Sequence, residues 1–207
     1  MKKRTKAFLL VLCAIMLVTA SIMGTVAYLT STTETVSNTF SVGQVNITLS
    51  ETKVDVYGAA LTGDDAGTTS QGQAYKMLPS HEYVKDPTIT VTAGSEPCWL
   101  FVKVDNGISA YEAKATANTI ASQLTANGWT LVDGQTNVYW HAVVDAREEA
   151  KTVQVFEKFV IADNANTVDG WSAVTSENTK VSVTAYAIQS DGFTDAESAW
   201  AALNPAP

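Results

Sequence analysis

The stretch "HEYVK" begins, at His81 and Glu82, the way a zinc-protease helix begins. Such a helix needs two histidines one turn apart so that both imidazoles reach one metal. A glutamate between them takes a proton from the bound water. Lys85 stands where the second histidine belongs and Pro87 follows two residues later, which predicts an extended segment with His81 at the surface. His141, the chain's other histidine, sits in "VYWHAV" on a predicted strand and reads as structural. No Gly-x-Ser-x-Gly turn occurs, and Cys98 in "SEPCWL" has no basic neighbour in sequence to favour a thiolate. It is expected as a buried small hydrophobe. The carboxylate pairs Asp64–Asp65 and Glu148–Glu149, the second beside Arg147, read as solvated charge. "DNANTVDG" (163–170) offers oxygens to calcium but lacks the alternating ladder and closing glutamate of an EF-hand loop, so an Asx-rich turn is expected. No residue is assigned a catalytic role, and no metal or cofactor is expected.

The elements that carry these residues are mostly strands. Phe40, Val42, Val45, Ile47 and Leu49 alternate with polar residues but slip phase between Val42 and Val45, which predicts a bulge at Gly43. Residues 58–74, rich in Gly, Thr and Asp, read as a mobile surface loop. "PTITVTAGSEP" predicts a short alternating strand ending in a turn, and the unbroken apolar run "CWLFVKV" a central strand covered on both faces. "AYEAKATANTIASQLTANG" has helical spacing and a stop at Gly128. "WTLV", "NVYWHAVV", "VQVFEKFVI" and "KVSVTAYAI" then read as strands. In "TDAESAWAAL", Thr194 is placed to cap a helix whose stripe is Ala196, Ala199, Trp200 and Leu203. Seven or eight strands with one or two inserted helices predict a mainly β chain, an antiparallel β-sandwich. In such a domain Trp99, Trp129, Trp140, Trp171 and Trp200 are expected as core or rim packing rather than as a sugar platform.

The N-terminus has a different grammar. "MKKRTK" carries four positive charges, and from Ala7 to Thr33 no side chain is charged. The apolar run "AFLLVLCAIMLV" thins into small and hydroxyl residues, and Thr25 and Ala27 fit the two positions that a signal peptidase reads. Residues 1–27 are therefore expected as a signal peptide cut between Ala27 and Tyr28, with 28–207 as a single domain. A retained anchor is the other outcome of such a pattern, and membrane contact is expected only through the uncleaved signal. The chain has 13 basic and 21 acidic residues; the leader takes four of the basic ones and leaves nine, a balance of −12. A body this acidic is repelled by phosphate backbones, which excludes nucleic acid as a partner. With Cys13 in the leader, Cys98 has no internal partner for a disulfide.

Three stretches together resemble a known group. "GTVAYLTSTTETVSNTFSVGQVNITLSE" and "KMLPSHEYVKDPTITVTAGSEPCWLFVKV" are similar to the N-terminal part of TasA/camelysin-like exported proteins of Gram-positive bacteria. "VSVTAYAIQSDGFTDAESAWAAL" resembles the clostridial branch known as alternate signal-mediated exported proteins. The stretches cover under half the chain. The resemblance implies a jelly-roll-like sandwich, a leader cut by a dedicated signal peptidase of the endoplasmic-reticulum type, and secretion to the cell surface or extracellular matrix. It also implies two functions: a biofilm fibre subunit, or a camelysin-like surface metalloendopeptidase. Because no zinc motif is present, the expected function is the non-catalytic fibre subunit; a monomeric surface adhesin is a third possibility. Residues 28–38 then form an arm in which Tyr28, Leu29 and Val36 are the bulky apolar residues, able to add as a strand to a neighbour's open sheet edge. The expected partner is a second copy, in a head-to-tail polymer.

Overall fold

The computed structural model describes residues 6, 11–13, 15–16, 43–114 and 118–203. The chain divides into two units, Met1–Ser41 and Val42–Pro207. In the first, the described residues are helical, and Val11, Leu12, Ile15 and Met16 are exposed. The expected cleavage bond Ala27–Tyr28 and the arm residues Tyr28, Leu29 and Val36 lie outside the described residues. Among the described residues, no helix is long and apolar enough to cross a membrane.

The second unit is an antiparallel β-sandwich. Strands β1 (Ile47–Thr52), β2 (Thr68–Thr69), β4 (Thr88–Val91) and β8 (Lys151–Gln154) form one sheet in the order β2-β1-β4-β8. Strands β5 (Ser95–Asn106), β6 (Thr130–Leu131), β7 (Val138–Ala146) and β10 (Val181–Gln189) form the other, ordered β10-β5-β7-β6. A two-stranded ladder joins β3 (Glu82–Val84) to β9 (Lys158–Val160). Two helices, α1 (Ile120–Ala126) and α2 (Ala196–Leu203), complete the unit with three 3₁₀ turns.

The run "CWLFVKV" occupies the centre, between β10 and β7. Side chains alternate across a strand, so Cys98, Leu100, Val102 and Val104 enter the core between the sheets, against Ile89 and Val91 of β4. Phe101 points the other way, into a second cluster with Ala196, Ala199 and Trp200 of α2. Both faces are covered, and each large apolar side chain fully removed from water contributes about 1.5–3 kcal/mol.

Several local expectations need correction. Val45, Ile47 and Leu49 do pack against the core, but Gly43 precedes β1 and is not a bulge. A Cβ there would lie 2.8 Å from Glu96 Cγ, so close approach is what suits glycine to the position. The irregularities fall instead between β5 and β7, where Ser95 pairs with Ala146, Cys98 with Val144 and Leu100 with His141. Pro97, which has no N–H to give a ladder, sits within the first. Residues 58–74 are not a plain mobile loop: β2 pairs Thr69 with Glu51 and Thr68 with Thr52. The Gln73 amide ties down the rest, accepting from Val54 N at 2.7 Å and donating to Thr52 O at 2.8 Å.

"VQVFEKFVI" splits into β8 and β9, which belong to different sheets. Val155 and Phe156 are consecutive and both fully buried, which a strand with only one covered face does not allow. Of the predicted first helix, Ile120–Ala126 is the part that forms among the described residues, capped by Thr119 and stopped at Gly128, whose φ is +83°. In α2 the cap is Asp195 rather than Thr194. Its Oδ1 accepts from Ser198 N at 2.8 Å, while Thr194 Oγ1 merely donates to the other carboxylate oxygen.

Candidate functional site

The residues best suited to chemistry are spread apart and engaged elsewhere. His81 precedes β3, its Nε2 donates to the Tyr57 carbonyl at 2.8 Å, and its ring leans on Tyr83. His141 lies on β7, donates through Nδ1 to its neighbour Ala142's carbonyl at 3.0 Å, and packs beside Trp129. Lys85 is on extended backbone just past β3, so no helix turn exists to bring a second ligand onto His81's face. Among the described residues, no group of three or more His, Cys, Asp or Glu could hold a metal ion. Burial pushes the Cys98 thiol up to about 11, which keeps it protonated and unreactive at neutral pH.

The carboxylate pairs are surface features, as expected. Asp64 and Asp65 lie exposed in a 3₁₀ turn. Glu149 is paired with Lys151, and Asp145 with Arg147 at 2.6 Å; hydrogen bonds from Arg147 hold the Asp145 carboxyl down at about 2. In 163–170, Asp163 Oδ1 accepts from the next backbone N–H, and Thr167 N donates to the Asn164 carbonyl at 2.9 Å to close a 3₁₀ turn. Trp129 and Trp200 are buried, and Trp99, Trp140 and Trp171 half-buried. Trp99 and Trp140 meet edge to face at 5.8 Å, each with a buried indole N–H that has no acceptor among the described residues.

What the fold does present is an open edge. Among the described residues, β10 pairs only with β5, along all nine of its residues, and its far side has no partner. "VSVTAYAIQ" contains no charge, no proline and no bulge to blunt that edge. Across from it, β1 pairs with β2 only at Glu51 and Thr52, so among the described residues Ile47–Ser50 also lack a strand partner on that side. Between the two runs lies a cleft of about 270 Å³ lined by Leu49, Ser50, Pro87, Val181 and Val183. A second cavity of about 210 Å³, lined by Tyr75, Met77, Ile108 and Phe159, adjoins it through Lys85, Lys180 and Val181.

No family model, curated protein or solved structure matches the chain.

Both cavities reach Lys85. Its Nζ lies 2.7 Å from Glu51 Oε2, with each side chain only 9% exposed, and Gln73 donates to the other Glu51 oxygen at 3.1 Å. Removing two charges from water costs several kcal/mol per ion, so such a pair is better evidence of specificity than of stability. Burial first, then the charges of Glu51 and Asp86, push the Tyr75 phenol up. It stays a neutral donor to the Val84 carbonyl at 3.2 Å. The cleft is thus apolar on its flanks and has a neutralised ion pair along one side.

Sequence reasoning did not find this pair, although a signal exists. Tyr83, Lys85, Pro87, Ile89 and Val91 all fall in the buried phase of one alternation. A lysine in that phase is almost never left unpaired. Nothing in the composition of β10 distinguishes an edge strand from a central one.

Proposed function

We propose that this chain is a secreted, non-catalytic structural protein of the cell surface or biofilm matrix, a fibre subunit that assembles by N-terminal strand addition. The observation that carries this reading is the unguarded nine-residue edge of β10, facing an apolar cleft and the open half of β1. A strand laid there satisfies rows of backbone N–H and C=O groups on both sides. Segment 28–38 suits the role, being rich in β-permissive threonine and lacking the apolar content to fold alone. Seated on a neighbour rather than on its own body, it makes a heterologous contact that propagates without closing. The leader ending at Ala27 supplies the free terminus, and the resemblance to TasA/camelysin-like exported proteins points the same way.

Purified protein beginning at Tyr28 is compared by electron microscopy with protein beginning at Phe40. Filaments from the first alone support the reading. A casein-cleavage assay with and without chelator, repeated on His81→Ala and His141→Ala, tests the peptidase alternative; chelator-sensitive activity lost in either variant would replace it.

A further inference from the structure

We infer that the smaller cavity binds a small aromatic carboxylate, its ring entering among Tyr75, Met77, Ile108 and Phe159 and its carboxylate meeting Lys180 at the mouth. The inference goes beyond the assembly reading and does not depend on it.

The cavity, of about 210 Å³, is bounded on its apolar side by Tyr75, Met77, Ile108, Phe159 and Val181. Ile108 and Phe159 are buried, whereas Tyr75 and Met77 remain half-buried. Its aromatic wall is fixed in advance. The Tyr75 ring stands edge to face against Phe159 at 5.5 Å and against Tyr83 at 5.8 Å, and its hydroxyl donates to the Val84 carbonyl. A wall held from several sides needs little ordering when a ligand arrives. An apolar cavity of about 150 Å³ is enough to take benzene. A somewhat larger space, edged by aromatic rings and a thioether, suits one ring on a short linker.

The polar lining selects the head group. Gln73 is engaged with Val54, Glu51 and Thr52, and Thr179 Oγ1 donates to the Thr175 carbonyl at 2.7 Å. Lys85 is held by Glu51 at 2.7 Å. Lys180 differs, being exposed and belonging to none of the ion pairs among the described residues. Its backbone is anchored, because the Lys180 carbonyl accepts from Gly107 N at 3.0 Å. Among the described residues, no Asp or Glu lines this cavity; Glu177, close by in sequence, is exposed and stands outside the lining. The mouth therefore carries one uncompensated ammonium in a chain of net charge −8. One such charge, with the exposed Ser176 hydroxyl as a second donor in the lining, matches a singly charged carboxylate.

The chain is expressed with its own leader and purified without detergent, which would itself enter an apolar cavity. Amide NMR titrations with phenylacetate, phenylacetamide and acetate give each dissociation constant. The forms compared are the unaltered chain, Lys180→Met, and Ala74→Trp, whose indole would fill the cavity from an exposed lining position. Thermal melts check that each is folded, and the acid–amide comparison on the unaltered chain needs no variant. Phenylacetate should shift amides around Tyr75 and Lys180 and bind at least roughly tenfold tighter than acetate, because the ring is the part removed from water. Replacing the acid by the amide, or Lys180 by Met, should each weaken binding roughly two- to fivefold, and both together no more than either alone. Ala74→Trp should abolish binding. No binding up to the solubility of phenylacetate, equal affinity for acetate, or full affinity in Ala74→Trp would overturn the cavity as a site. Acid and amide binding alike would overturn Lys180 as the group that recognises the head. Affinity that falls as protein concentration rises would mean that a second copy fills the cavity, overturning the small molecule as occupant.

Discussion

Among the described residues, strand β8 ends its sheet with four residues, the first a lysine, and the segment that leads into it from β7 carries Asp145–Arg147 and Glu149–Lys151 ion pairs. Strand β10 ends the other sheet with nine residues and no charge. The other edges of these two sheets, β2 and β6, are two residues long. Short edges and charged edges are ordinary ways of stopping unwanted sheet growth. Among the described residues, the two larger sheets carry such guards at β2, β6 and β8 and lack them along β10, their longest edge. The ion pairs differ likewise. Those beside β8 are exposed on the connection between the sheets, whereas Lys85–Glu51 is buried along the cleft.

The comparison breaks most visibly if β10 is made to resemble β8. Thr184 is exposed at the middle of β10, and Thr184→Lys puts a charge on the open edge. Loss of filaments by electron microscopy is expected, with stability changed by only about 0.5 kcal/mol, since the site is on the surface. Next in size is the contrast between ion pairs. Lys85→Met should cost about 3–5 kcal/mol in denaturant unfolding because it strands the Glu51 carboxylate in a buried site. Lys151→Met should leave the denaturant midpoint nearly unchanged, its pair being exposed. Equal costs would dissolve the distinction.

A third test asks how firmly β10 is attached. Cys98 lies opposite Gln189 at the end of β10, and its thiol is fully buried. Because its pKa is raised from 9.0 to about 11, the folded state holds the proton after the unfolded chain has lost it. The resulting stability is complete below pH 9 and is lost as the pH rises through about 11, a change of about 3 kcal/mol at most. Alkylation at pH 8 should be negligible in the folded protein and rapid after unfolding. Labelling of the native state at a rate insensitive to denaturant would mean that β10 peels away. The smallest effect concerns α2, which covers the outer face of the same sheet. Asp195→Ala should lower the thermal midpoint through the lost cap, and Thr194→Ala should lower it much less. The Asp195 carboxyl is held below its usual range chiefly by the Ser198 N–H, so the cap's contribution is present above that range and lost on acidification through the lowered value.

The fold was legible where period and burial agree. "CWLFVKV" reads as a strand covered on both faces because both alternating sets are apolar, and Ala196, Ala199, Trp200 and Leu203 read as a helix stripe because their spacing suits nothing else. Legibility failed where tertiary contact overrides local pattern. "VQVFEKFVI" looks continuous, yet burial of both Val155 and Phe156 turns the chain into another sheet. The Gly43 bulge was inferred from a phase slip, while the actual bulges are centred near Pro97 and its partner strand. The candidate site was less visible still. An edge strand and a central strand of equal length share one pattern, and the partners of Lys85 and Gln73 lie 34 and 22 residues away at Glu51.

The most direct test of the central claim is the electron microscopy of purified protein starting at Tyr28 beside protein starting at Phe40, at matched concentration and salt. The account predicts filaments from the longer form and dispersed monomers from the shorter one, with both folded by thermal melt. Identical filaments from both, or monomers from both under every condition, would contradict it.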